Sequence, residues 1–168
     1  MKTINKYNCI KKKNLFDVIE QILKVNTSTN ILVPFVSSDN IDFSNRFIKA
    51  SFDRYKGFET NFTLNKPVIG KVDFFNVKTT KYKNSIIFAS MPCHHMKSYG
   101  RKINYGELAS CMHQIKNTIK RSKTSNDEFK IEIHSPKFGT GVSGGDWRII
   151  SELINDVWSN VGVFIYEP

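Results

Sequence analysis

The sequence predicts an α/β domain whose largely parallel sheet is covered by helices on both faces. Helical patterns alternate with short apolar runs along the chain, which is the order expected of strand–helix–strand units. Residues 30–36, NILVPFV, are apolar on both faces of a predicted strand, as in the buried strands of parallel sheets. The 168 residues are enough for one core and too few for two ordinary domains, so residues 1–168 are expected to form a single domain.

The first half of the chain predicts two strand–helix pairs. Leu15, Val18 and Ile22 recur at helical spacing and define one apolar helix face. Pro34 cannot donate to a sheet ladder, so it is expected to mark the end of the second strand. The polar residues 37–40 form a turn that is able to cap the next helix. The predicted elements are a strand at 3–9, a helix at 14–24, a strand at 30–36, a helix at 43–55 and a loop at 57–66.

The second half continues the alternation. Leu108, Met112 and Ile115 lie on one stripe of its longest predicted helix. Trp147 and Trp158 fall on the inward face of a later helix and are expected to be core residues. The predicted elements are strands at 68–77 and 85–91, a loop beyond Met91, a helix at 105–122, a strand at 130–134, the helix that carries the two tryptophans and a strand at 161–166.

Composition and charge limit the class of protein. No apolar run reaches the ~20 residues that span a bilayer, and the N-terminal segment lacks the apolar stretch of a secretory signal. The three cysteines are widely spaced without a CxxC pair, which favours free thiols in a reducing cytoplasm over disulfides or a metal site. The net charge is +10, and residues 1–83 hold 15 Lys/Arg against 7 Asp/Glu. This basic half is either a soluble lysine-rich surface or a surface that attracts a polyanion.

A glycine-rich turn follows the predicted strand at 130–134. Gly139, Gly141, Gly144 and Gly145 fall within seven residues, just before a helix that starts near Asp146. Glycines let the backbone approach a ligand and direct several N–H groups to one point, and the helix dipole adds positive potential. Phosphate or diphosphate is the ligand expected there. A tight strand-to-helix turn without a ligand is the alternative.

Two familiar phosphate motifs fit this turn poorly. A Walker P-loop needs a Lys-Ser/Thr pair after its last glycine, whereas Asp146-Trp147 stands at that place. The letters GTGVSG match the GxGxxG of a dinucleotide-binding unit, and Glu167 ends the following strand as such a unit requires. A lone GxGxxG is a weak signal.

A resemblance to a known family accounts for more of these residues. The segment HSPKFGTGVSGGDW and the closing strand VFIYE resemble the macro domain, in the branch common in bacteriophages. IIFASMPCHH and the helix start at 103–108 resemble the same branch's strand and Tyr-x-x-Leu helix, and LVPFVSSDNIDFSNRF is similar to its first ligand loop. The likeness covers about residues 30–168 and is most specific at the glycine-rich turn.

The resemblance implies a three-layer α/β/α fold with a mixed, mostly parallel sheet of about six strands. Macro domains bind ADP-ribose and related nucleotides, and some members hydrolyse ADP-ribose 1″-phosphate or ADP-ribosyl esters. The resemblance therefore implies ligand-binding residues in both loops. No resident cofactor and no metal are expected. The implied ligand-binding residues are Gly139, Thr140, Gly141, Val142, Ser143, Gly144, Gly145, Ser38 and Asp39.

The first loop departs from the family pattern. Ser37-Ser38-Asp39 replaces a run whose Asn contacts the distal ribose, and Ser44, Asn45 and Arg46 stand where the family has glycines. Residues 7–12 lack the acid that holds the adenine amino group. Weak nucleotide binding, or none, is therefore expected, and no catalytic residue is assigned because the replaced residues are those that would perform catalysis.

Several other side chains have a reactive and a passive interpretation. His94 and His95 could supply a base or metal ligands, although neighbours on a strand point to opposite faces and no acidic cluster accompanies them. Asp39 could act as a base or cap a helix. Cys93 could be a nucleophile if a base lowered its pKa. The passive interpretation is favoured for each.

Two uses other than nucleotide binding follow from the same sequence. A small basic macro-like chain that has lost its ligand loop suits a phage protein that binds and inhibits a host protein, for example the replication sliding clamp, the β subunit of DNA polymerase III. The basic N-terminal half could instead bind nucleic acid. A homodimer is the default assembly for a small α/β domain with exposed aromatic residues.

Overall fold

The structure is a computed structural model that describes residues 6–40, 45–77, 81–96, 102–125 and 130–167. Within these ranges the chain forms six strands and five helices. The strands are β1 Asn8–Lys11, β2 Thr29–Ser38, β3 Asp73–Val77, β4 Ile86–His94, β5 Lys130–Pro136 and β6 Val163–Glu167. The helices are α1 Leu15–Val25, α2 Arg46–Arg54, α3 Lys56–Thr63, α4 Tyr105–Ser125 and α5 Trp147–Val157.

The six strands form one sheet in the order β1-β6-β5-β2-β4-β3. All neighbours pair in parallel except β3, which is antiparallel to β4 at one edge. One core cluster packs residues of α4 and α5 against the sheet, and a second packs residues of α1, α2 and α3. The α/β fold class and the three-layer arrangement predicted from the sequence are thus confirmed. No helix in the described ranges is long and apolar enough to cross a membrane.

Pro34 does not end its strand, contrary to expectation. It lies inside β2 opposite Ala89 of β4, and β2 continues to Ser38. The pairing of β2 with β5 covers only the segment from Thr29 to Leu32, and the Pro34 carbonyl accepts a hydrogen bond from Ser135 Oγ at 3.0 Å. The nitrogen and carbonyl of a strand residue face the same side, so the missing N–H faces a region where the ladder has already ended.

The predicted loop at 57–66 is also wrong for most of its length, because helix α3 occupies Lys56–Thr63. Gly57 and the polar residues around it favour a loop by local propensity. Phe58 and Phe62, however, are four residues apart and share one helix face, and both are buried in the aromatic cluster of the second core. Tertiary burial of these rings therefore decides the conformation.

Two strands extend beyond their predicted ends. β4 reaches His94, which the sequence placed in a loop, and β5 reaches Pro136. The N-cap of α2 is Asn45, whose side chain accepts from the N–H groups of Phe47 and Ile48. Residues 37–40 therefore do not cap this helix. The predicted strand at 3–9 and the start of the helix at 43–55 lie partly outside the described residues.

A buried polar network joins β5 and β6 on the α1 side of the sheet. His134 Nδ1 lies 2.8 Å from the hydroxyl of Tyr166, and His134 Nε2 lies 3.2 Å from Glu132 Oε2. The imidazole stacks on Phe164 with ring centroids 4.6 Å apart. Removal from water lowers the pKa of His134, although the hydrogen bond to Glu132 opposes this shift. The folded protein therefore holds His134 neutral, with its proton on Nε2.

This network predicts a loss of stability in mild acid. The unfolded chain protonates His134 near pH ~6.5, whereas the folded chain protonates it only at lower pH, so stability should fall as the pH drops below about 6.5, with a slope approaching ~1.4 kcal/mol per pH unit from this side chain. Urea unfolding across that range measures the slope. His134→Gln should flatten this slope. Equal slopes for wild type and His134→Gln would contradict the prediction.

Candidate functional site

A cleft of about 360 Å³ opens at the carboxyl ends of β2, β4 and β5. Ligands bind at this edge in open α/β sheets, because loops from several strands meet there. One wall is the loop that follows β5, and the opposite wall is the first turn of α2. The floor is formed by the ends of β2 and β4, including Ser37, Ser38 and His94.

Most glycines of the turn after β5 are required by the conformation or packing of the turn itself. Gly139 and Gly144 have φ of 75° and 68°, a region that side chains rarely adopt. A Cβ on Gly139 would lie 3.0 Å from Ile103 and Ile150, and one on Gly145 would lie 2.4 Å from the carbonyl oxygen of Gly139. Only Gly141, whose added Cβ would meet nothing within 4 Å, is open. The glycine content alone is therefore weaker support for a ligand than the sequence suggested.

The backbone of the turn gives stronger support. The N–H groups of Gly144 and Gly145 donate to the carbonyls of Gly141 and Gly139 at 3.0 and 2.7 Å, which closes the turn. Among the described residues, the N–H groups from Thr140 to Ser143 donate to no protein acceptor. Unpaired backbone donors beside a cleft are suited to an anionic oxygen.

The start of α5 contributes less than expected. Asp146 is its N-cap and accepts from the Arg148 N–H, and the Asp146 carboxylate also binds the Arg148 guanidinium at 2.7 Å. An acidic cap occupies the helix N-terminus that a phosphate would otherwise use. The donors available to an anion are therefore those of the turn.

The first loop is held by its own hydrogen bonds. Ser38 lines the cleft, and its hydroxyl donates to the carbonyl of Asn40. Asp39 is turned towards the end of β4, where it accepts from the Met96 N–H and lies 2.8 Å from His95 Nδ1. The Met96 N–H and then His95 lower the pKa of Asp39. Asp39 is thus neither the helix cap nor a suitable base, and it does not reach the cleft wall.

The structure brings five of the nine predicted ligand residues to the cleft wall: Ser38, Gly139, Gly141, Val142 and Ser143. Thr140, Gly144 and Gly145 belong to the same turn, behind or beside that wall. The sequence missed the aromatic part of the site, which comprises Phe35, Phe47, Phe62 and Phe138. Thirteen phenylalanines were the only signal of it, and composition does not say which of them surround a cleft.

Comparison with solved structures gives the same fold. The chain resembles a protein of unknown function from Bacteroides thetaiotaomicron (17% identity, 96% of this chain and 99% of that one, TM-score 0.73). It also resembles a macrodomain protein from Streptomyces coelicolor (17% identity, 96% and 99%, TM-score 0.65) and the macrodomain of Mycobacterium tuberculosis DarG (13% identity, 96% and 99%, TM-score 0.65). No family model matches the sequence, and no curated protein matches it.

The chain has the macro-domain fold. At these identities the likeness establishes the architecture only. The activity has to be inferred from the residues of the cleft. Asn45 and Arg46, two of the residues that stand where the family pattern has glycines, line the cleft together with Phe47. Ser44, the remaining residue of that replacement, lies outside the described residues.

The two neighbouring histidines have different surroundings, and only His94 lies on strand β4. His94 is buried in the cleft, with Nδ1 3.3 Å from Ser143 Oγ, whereas His95 is exposed and pairs with Asp39. Cys93 is fully buried, and burial raises the pKa of its thiol well above the ordinary range. Cys93 is therefore a passive thiol. The described residues contain no cluster of three or more His, Cys, Asp or Glu suited to a metal ion.

Proposed function

We propose that the cleft binds a nucleotide of the ADP-ribose type, with its diphosphate against the turn at 139–145. The observation that carries this proposal is the set of N–H groups from Thr140 to Ser143, which have no protein acceptor among the described residues. Backbone donors of this kind bind phosphate oxygens without a dedicated cationic side chain. The macro-domain fold supports the same ligand class.

The rest of the cleft suits the other parts of such a ligand. Its volume of about 360 Å³ is within the ~300–1,000 Å³ typical of small-molecule sites. Phe35, Phe47 and Phe138 give apolar walls for a base or ribose face, and Arg46 gives a positive charge across from the turn. The same side chains narrow the space that glycines would leave open. Weak binding is therefore expected.

Gly141 permits a direct test. Gly141→Val should leave the fold intact, because an added Cβ meets nothing within 4 Å and φ is not in the left-handed region. Its side chain should project into the cleft and weaken ADP-ribose binding at least tenfold, as measured by titration calorimetry. Gly57→Ala is the matched control, because its added Cβ also meets nothing and Gly57 lies on α3 away from the cleft wall.

Two outcomes would overturn the proposal. One is wild-type protein that gives no heat with millimolar ADP-ribose. The other is equal affinity of wild type and Gly141→Val, which would place the ligand elsewhere.

Two observations favour a macromolecular partner as a second candidate function. The net charge of +10 would attract nucleic acid, and that binding should weaken steeply as salt rises. Leu64, Val68 and Phe74 are exposed. Leu64 precedes Asn65 and Phe74 follows Asp73 of edge strand β3, and the side chains of Asn65 and Asp73 are hydrogen-bonded to each other. This apolar edge suits a protein partner, such as the host sliding clamp if the chain is phage-encoded. Gel filtration with purified clamp and with duplex DNA at two salt concentrations tests both, and an unshifted elution excludes the partner concerned.

A further inference from the structure

We propose that Ser143 and His94 form a nucleophile–base pair that hydrolyses carboxylic esters carrying an apolar group. Ser143 Oγ lies 3.3 Å from His94 Nδ1. Both side chains line the cleft, and they are only 7% and 6% exposed. A hydroxyl in contact with an imidazole at the wall of a cleft is the arrangement that activates serine as a nucleophile, and such contacts are often long before substrate binds.

Both partners are fixed by their backbones. The carbonyl of Ser143 accepts from the N–H groups of Lys102 and Ile103 at 3.1 and 3.0 Å. The carbonyl of His94 accepts from the Asp39 N–H at 3.1 Å, at the end of strand β4. Anchoring of this kind holds a reacting pair in one relative position, which is a requirement for efficient catalysis.

The surroundings supply the remaining parts of an ester hydrolase. The N–H groups from Thr140 to Ser143 are available to a developing oxyanion, because no described residue accepts from them. Phe35, Phe47 and Phe138 line the same cleft as the pair, so the acyl or aryl group of the ester should be apolar. The other buried histidine, His134, is bound to Tyr166 and Glu132 and contributes nothing to this cleft.

The chemistry is a two-step acyl transfer. Ser143 Oγ attacks the ester carbonyl carbon as its proton passes to His94 Nδ1. The carbon–alkoxide bond then breaks, and the same proton leaves with the alcohol. Water, deprotonated by His94, attacks the acyl-serine, and the serine oxygen recovers the proton as the carboxylic acid departs. No cofactor is consumed.

A fluorophosphonate probe tests the nucleophile without the natural substrate. Ser143 Oγ should form a bond to phosphorus as the phosphorus–fluorine bond breaks and fluoride leaves, and the adduct should be located at Ser143 by peptide mass spectrometry. Ser143→Ala should abolish labelling. His94→Gln should slow it about 100-fold or more, because it removes the base. Hydrolysis of p-nitrophenyl butyrate should fall in parallel.

Ser110→Ala, at an exposed serine on α4, should label as wild type does. Thermal melts of each variant show whether lost labelling reflects lost folding. Two results would overturn the proposal: no adduct at Ser143 in wild-type protein, or equally fast labelling of wild type and folded His94→Gln. The contact between Ser143 and His94 would then only stabilise the packing of the turn against β4. Calorimetry with ADP-ribose is independent of this result, so failure of nucleotide binding and failure of esterase chemistry are distinguishable.

Discussion

Replacing Phe58 with alanine is expected to lower the free energy of unfolding by about 4 kcal/mol. The ring is fully buried and lies parallel to Phe88 with centroids 4.2 Å apart. It also contacts Phe52, Phe62 and Phe75 at centroid distances between 5.2 and 5.6 Å. Truncation removes the packing that holds α3 on the sheet and leaves a cavity among rigid rings. Urea unfolding followed by circular dichroism measures the loss.

Phe74→Ala is the matched control for this experiment. Phe74 is on strand β3 next to buried Phe75, but its side chain is 39% exposed. It should cost less than about 1 kcal/mol, the range of strand propensity. Similar losses for Phe58→Ala and Phe74→Ala would mean that helix α3 does not pack on the sheet as described.

Gly145→Ala is expected to destabilise the protein by about 3 kcal/mol, because the new Cβ overpacks a closed turn. That atom would lie 2.4 Å from the Gly139 carbonyl oxygen, which already accepts the Gly145 N–H at 2.7 Å. The nearest atoms belong to the backbone of Gly139, which cannot rotate away as a flexible side chain can. Thermal and urea unfolding should both show this loss of stability. The wall of the cleft that the turn forms should be disturbed as well.

Gly141→Ala separates this structural effect from any effect on the ligand. It introduces the same methyl group four residues earlier in the same turn, into open space. Its stability should stay within about 0.5 kcal/mol of wild type. If Gly145→Ala proved equally harmless, the turn would have to open locally, and the donors from Thr140 to Ser143 would not be preorganised.

Gly139, Gly141 and Gly145 show how much of this site can be predicted from the sequence. The spacing of glycines between a strand and a helix located the turn and its place at the edge of the sheet. It could not separate Gly139 and Gly145, which the turn itself requires, from Gly141, which is open to the cleft. That distinction depends on Ile103, Ile150 and the Gly139 carbonyl, contacts that spacing along the chain does not encode.

The first loop also shows which contacts could not be predicted from the sequence. The sequence predicted that side chains would replace glycines there, and Asn45 and Arg46 do line the cleft. It gave Asp39 a choice between base and helix cap, whereas Asp39 binds His95 and Met96. His94 was assigned to a loop, yet it ends β4 and contacts Ser143 from 49 residues away in sequence.

The sequence by itself determined the class of fold, because alternating helical and apolar strand patterns are local and satisfy only a layered α/β arrangement. It also determined the glycine-rich turn between β5 and α5, since glycine spacing is local. Only the tertiary structure decided that Pro34 continues its strand, that residues 56–63 are helical and that Ser143 meets His94. Each of those outcomes depends on partners distant in sequence: a ladder that ends beside Pro34, rings that bury Phe58, and a strand end that reaches the turn.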